Sequence, residues 1–109
     1  MSKLDELRLV LCNCPDAISA GQIAERLVEL RLAACVNVLP GVKSVYRWEG
    51  KIESAEEYAL LIKTTSAVYA QLERTIIGLH PYELPEIIAM SVTHGLPDYV
   101  EWVHENTGH

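Results

Sequence analysis

The chain predicts an α+β domain in the order β-α-β-β-α-β, followed by an extra C-terminal helix. Three observations predict it. Apolar runs with a period of two alternate with runs of helical period along the chain. The stretch Ala33–Lys51 joins two β-branched segments at Pro40-Gly41 and turns at Glu49-Gly50 into another apolar run, a hairpin signal. No signal for a second domain interrupts the 109 residues, so residues 1–109 are read as one domain.

Leu7 to Cys12 is a short, nearly all-apolar run and reads as a central strand, with Cys12-Asn13-Cys14-Pro15-Asp16 as turn material after it. A helix follows, with Ser19 or Asp16 as its N-cap; Ser19 and Gln22 have capping-box spacing. Ala20, Ile23, Ala24, Leu27, Val28 and Leu30 form its apolar stripe, and Glu25, Arg26 and Glu29 its wet side. In the next strand Val42, Ser44, Tyr46 and Trp48 alternate with Lys43, Val45 and Arg47, and Pro40-Gly41 marks a bulge or bend. The hairpin arm is longer than a small domain needs. Its return strand is expected from Tyr58 to Thr64, after the acidic Glu53–Glu57 segment.

Ser66 is expected to cap a second helix carrying Val68, Leu72, Ile76 and Leu79, and Pro81 stops it by His80. His80-Pro81-Tyr82-Glu83-Leu84-Pro85 is then a stiff linker into a strand over Glu86–Val92. Leu96-Pro97 opens the last helix, with Tyr99, Val100, Trp102 and Val103. Right-handed crossovers leave few ways to join these elements other than the split β-α-β, or ferredoxin-like, sandwich.

A net charge of -6 argues against a nucleic-acid groove or an anionic membrane surface, both of which select Lys and Arg. The apolar runs are too short to span a bilayer. The start Met1–Glu6 is polar and acidic, unlike a signal peptide, so a cytoplasmic location is expected. The three cysteines are then expected as thiols rather than disulfides. Both alternating sets of the central strands are apolar: Leu7, Leu9 and Leu11 oppose Val10 and Cys12, while Tyr58, Leu60 and Ile62 oppose Ala59 and Leu61. Two helices cover one face of such a sheet. The other face implies a homo-oligomer packed through its sheets, each interface burying more than about 1,000 Å².

Ala33-Ala34-Cys35-Val36-Asn37, Pro40-Gly41-Val42, Tyr46-Arg47-Trp48-Glu49-Gly50-Lys51, Lys63-Thr64-Thr65 and His80-Pro81-Tyr82-Glu83-Leu84-Pro85-Glu86 occur here in an order that resembles the CutA divalent-cation tolerance proteins. The resemblance runs from about Leu7 to Trp102. It implies a ferredoxin-like subunit in a tight homotrimer whose hairpin arms reach across to neighbours. It also implies binding of copper or another divalent metal by Cys12 and His80. Some bacterial members carry a second histidine before that position, where this chain has Leu79. The expected trimer contacts are the aromatic residues Tyr46, Trp48 and Trp102.

The topology brings the end of the first strand and the end of the second helix to one edge of the domain. Cys12, His80 and either Cys14 or Glu83 can therefore share a site, and Cys35 and His94 fall at the opposite end. Thiolate, imidazole and carboxylate suit copper or zinc, as a bound ion rather than a required cofactor. Each residue also has a plainer reading: Cys12 and Cys35 as small buried hydrophobes, His80 as a helix C-cap, Glu83 as an ion-pair partner. His104 and His109 are expected to be solvated, with His109 open to adventitious metal.

The segment Cys12–Asp16 lacks the arginine with which acylphosphatases of this fold class hold phosphate, and its cysteine spacing is one short of the copper-chaperone loop. No phosphate loop, His-Glu metalloprotease pair or nucleophile elbow is present, so no enzyme activity is expected. The alternatives are a trimer resembling the PII signalling proteins, with a small ligand between subunits, or a structural trimer with incidental metal binding.

Overall fold

The computed structural model describes residues 3–108; the expectation for His109 lies outside them. A helical turn, α1 (Lys3–Glu6), leads into β1 (Leu7–Cys14), α2 (Ala17–Glu29), β2 (Cys35–Trp48), β3 (Lys51–Thr65), α3 (Tyr69–Leu79), β4 (Ile87–Ser91) and α4 (Pro97–Glu105). The four strands form one antiparallel sheet in the order β2-β3-β1-β4.

Local chemistry accounts for most boundaries, with one choice between two candidate caps and three corrections to the sequence reading. Asp16, not Ser19, caps α2: its Oδ1 accepts the Ser19 N–H at 2.7 Å, which starts the helix three residues before the Ser19–Gln22 box would. Ser66 does not cap α3. It opens a single 3-10 turn, Ser66–Val68, and its carbonyl accepts the Tyr69 N–H, so α3 starts without a side-chain cap. The first strand runs to Cys14 because Asn13 and Cys14 still pair with Ala59 and Tyr58. The return strand begins at Lys51 rather than Tyr58, since the acidic stretch pairs with β2 all along the arm.

The hairpin arm follows from this pairing. β1 ends opposite Tyr58, so from Glu57 outward β3 has only β2 beside it. Val42 to Trp48 therefore project roughly 20 Å as a two-stranded ribbon. The register slips between Leu39 and Val42, where Pro40 has no N–H to offer and Gly41 takes φ +75°. Glu49 and Gly50 both hold positive φ (51° and 80°), the backbone of a two-residue turn whose twist matches the strands. With the arm, the chain is 45 Å long and 26 × 22 Å across.

Helices α2 and α3 cover one sheet face. There Val10, Cys12, Cys14, Leu60 and Ile62 pack on Ile23, Leu27, Leu72 and Ile76. The other face is not wholly bare, as the sequence reading had it: α4 and α1 shelter one end, where Leu7, Ala34, Val100 and Val103 pack with Leu4 and Val92. Beyond that end, Leu9, Leu11 and Leu61 are half-buried, and Ile88 and Met90, paired with Leu11 and Leu9, are exposed.

Candidate metal centre

Cys12 and Cys14 lie two residues apart on β1 and point to the same sheet face. His80 closes α3 as its C-cap, its backbone N–H bonded to the Ile76 carbonyl at 2.8 Å, and Pro81 turns the chain away. The two elements meet at one end of the sheet. There the sulfurs of Cys12 and Cys14 and a ring nitrogen of His80 lie within 4.8 Å of one another, and all three residues are buried. Ligands about 2.0–2.3 Å from a tetrahedral zinc ion are spaced roughly 3.3–3.8 Å apart, so a small contraction would close this set on an ion.

Hydrogen bonds define the imidazole. The Tyr82 N–H donates to Nδ1 at 3.1 Å, so Nδ1 carries the lone pair. Nε2–H then donates to the Asn13 carbonyl at 2.6 Å. The ring also lies 4.9 Å from the Tyr82 ring, tilted by 49°. Both nitrogens are thus engaged, and a metal on either one replaces a hydrogen bond of the 80–82 segment. The thiols are unequal. A hydrogen bond from Cys12 lowers the Cys14 thiol below the ordinary cysteine value, against the opposing effect of burial. The same contact with Cys14, followed by burial, pushes Cys12 up. Loading a metal on both sulfurs releases protons, since the bound form is the thiolate.

The other expected site residues fall elsewhere. Glu83 is exposed and outside the cluster; it lines a cleft of about 700 Å³ between the hairpin arm and the 81–86 linker. Tyr46 and Trp48 line the same cleft from the arm, and Trp102 stacks on Tyr99 in α4 at 5.6 Å. Cys35 is half-buried with the Lys63 ammonium 3.8 Å from its sulfur, and His94 is exposed; neither joins the cluster. Sequence reasoning missed Glu57. Read only as the end of the acidic stretch before the return strand, it is 8% exposed, and its Oε2 accepts a hydrogen bond from the Tyr82 hydroxyl at 2.9 Å. The parity of β3 carried the available signal, because Glu57 falls on the same alternating set as Ala59 and Leu61.

Among the described residues no helix is long and apolar enough to cross a membrane. The family model of the CutA1 divalent ion tolerance protein matches residues 8–106. The divalent-cation tolerance protein CutA of Thermus thermophilus is 45% identical over 100 residues, covering 92% of this chain and 97% of that protein. Its structure superimposes with a TM-score of 0.92 at 44% identity, over 94% of this chain and 99% of that one. A structure from Archaeoglobus fulgidus, described as a periplasmic divalent cation tolerance protein CutA, gives a TM-score of 0.89 at 38% identity, covering 92% and 97% of the two chains. With sequence and fold matched over nearly the whole length, the chain belongs to the CutA1 divalent ion tolerance family.

Proposed function

We propose that this protein is a non-catalytic binder of a copper-type divalent metal, acting in metal tolerance as a cytoplasmic homotrimer of ferredoxin-like subunits. The observation that carries the proposal is the buried gathering of two thiols and an imidazole within 4.8 Å, a donor set suited to copper or zinc. Cys12, Cys14 and His80 would hold the ion. Glu83 is the carboxylate we assign to it, reached when the linker shifts as His80 gives up a hydrogen bond.

A binding role without catalysis is supported by the state of the imidazole. Its lone pair is taken by the Tyr82 N–H, so it is not poised as a base toward either thiol. The trimer is supported by the apolar surface that α4 leaves uncovered and by the exposed arm, where Val45 and Ile52 are 65% and 72% exposed.

Calorimetric titration with copper or zinc tests the centre. Native protein is expected to bind, and Cys12→Ala and His80→Ala to lose most of the affinity; unchanged binding in both variants ends the assignment. Glu83→Gln reports on the carboxylate in the same titration. Fractionation of cells under metal stress tests the compartment, with recovery in the periplasm as the contrary result.

A further inference from the structure

The cleft beside the metal cluster has a composition of which the metal proposal uses only Glu83. Its walls carry three aromatic rings, Tyr46, Trp48 and Tyr82, and three carboxylates, Glu57, Glu83 and Glu86; no Lys, Arg or His lines it. Glu57 is the informative member. It is more than nine-tenths buried, its carboxylate accepts a hydrogen bond from the neutral Tyr82 hydroxyl, and it joins neither of the ion pairs formed among the described residues, Lys3–Glu101 and Arg26–Glu29. Glu86 receives a weak hydrogen bond, 3.4 Å, from the Asn13 amide, also neutral. A carboxylate withdrawn from water without a countercharge is costly, and a cation entering the cleft offsets that cost.

The aromatic rings narrow the kind of cation. Compact ions such as magnesium and calcium demand several oxygens converging at close range. Among the described residues the one cluster of metal-ligating groups is Cys12–Cys14–His80, so the three cleft carboxylates do not converge on a point. Ring faces instead attract a diffuse, weakly hydrated positive charge. At about 700 Å³ the cleft has the size of a small-molecule site. We propose that it binds a small organic ammonium ion, with Trp48 and its neighbouring rings against the charged head and Glu57 as the buried counter-charge. The proposal rests on the cleft alone and stands or falls apart from the metal reading.

The experiment uses the full-length protein in its native assembly, with a chelator present so that Cys12 and His80 play no part. Trp102→Phe leaves Trp48 as the sole tryptophan reporter. Choline and putrescine are titrated against its emission, with dimethylbutanol, the uncharged carbon isostere of choline, as control. A saturable shift with at least one of the two cations and none with the isostere is expected, weakening as ionic strength rises. Glu57→Gln should weaken binding by about tenfold or more, and Trp48→Leu, read by calorimetry, by a similar factor. No saturable response to either cation, an equal response to the isostere, or unchanged affinity in either variant would overturn the proposal. If Glu57→Gln fails to fold, Trp48→Leu decides, with light scattering to establish that the variant keeps the native assembly, because Trp48 is also an expected trimer contact.

Discussion

Replacing His80 by phenylalanine separates the two roles this residue can hold. The substitution keeps an aromatic ring against Tyr82 and removes both ring nitrogens. Lost with them are the bond to the Asn13 carbonyl, 2.6 Å, and the bond from the Tyr82 N–H, 3.1 Å. Each such bond contributes about 0.5–1.5 kcal/mol net, and a partner left buried and unpaired costs about 1–3 kcal/mol. His80 is only 8% exposed, so water reaches the stranded partners poorly. The expected loss is about 2–4 kcal/mol, enough to lower the melting temperature by roughly 10 °C in a domain of this size. Urea denaturation at matched protein concentration measures it, since subunit association would make the midpoint concentration-dependent. In parallel, losing the imidazole ligand should weaken copper or zinc binding by more than about tenfold. Native-like unfolding would refute the hydrogen-bond reasoning. Lower stability with native metal affinity would leave His80 a structural cap and remove it from the metal centre.

The tyrosines provide a pH test. Burial, reinforced by hydrogen bonds to Glu73 and Glu57, pushes Tyr69 and Tyr82 up to about 12 from an ordinary value near 10. The folded state favours the neutral phenols, so their stabilisation is complete below pH 10 and disappears as pH rises through 12. An absorbance titration of phenolate should show both ionising late, each late step vanishing in the matching Tyr→Phe variant. Leu27→Ala, at a fully buried position beneath α2, should cost about 2–5 kcal/mol in denaturant unfolding; a cost below 1 kcal/mol would mean that this helix does not seal the core as described. Ile88→Glu with Met90→Glu places two charges on the exposed part of the second face. Light scattering is expected to show trimers for the native chain and lone subunits for the variant. Native protein that stays monomeric at micromolar concentration would remove the reason for an oligomer.

Whatever depended on neighbours along the chain was open to inspection in the residue order. The alternation of Val42 to Trp48, the turn at Glu49-Gly50, the break at Pro40-Gly41 and the stop at Pro81 each follow from backbone stereochemistry within a few residues. Chain order and crossover handedness carried the reasoning one step further, bringing Cys12, Cys14 and His80 to the same edge although Asn13 and His80 are 67 positions apart. Which of the candidate donors would meet was beyond that reach. Glu83 turned out to the cleft and Cys14 turned in, because Cys14 continues β1 through its pairing with Tyr58 instead of entering a turn. Likewise Glu57, charged and set in an acidic run, looks solvated in one dimension. Only the approach of the linker places Tyr82 over it and withdraws it from water. Periodicity reports which way a side chain leaves the backbone; what it finds there depends on distant segments, and those are brought together only by the folded chain.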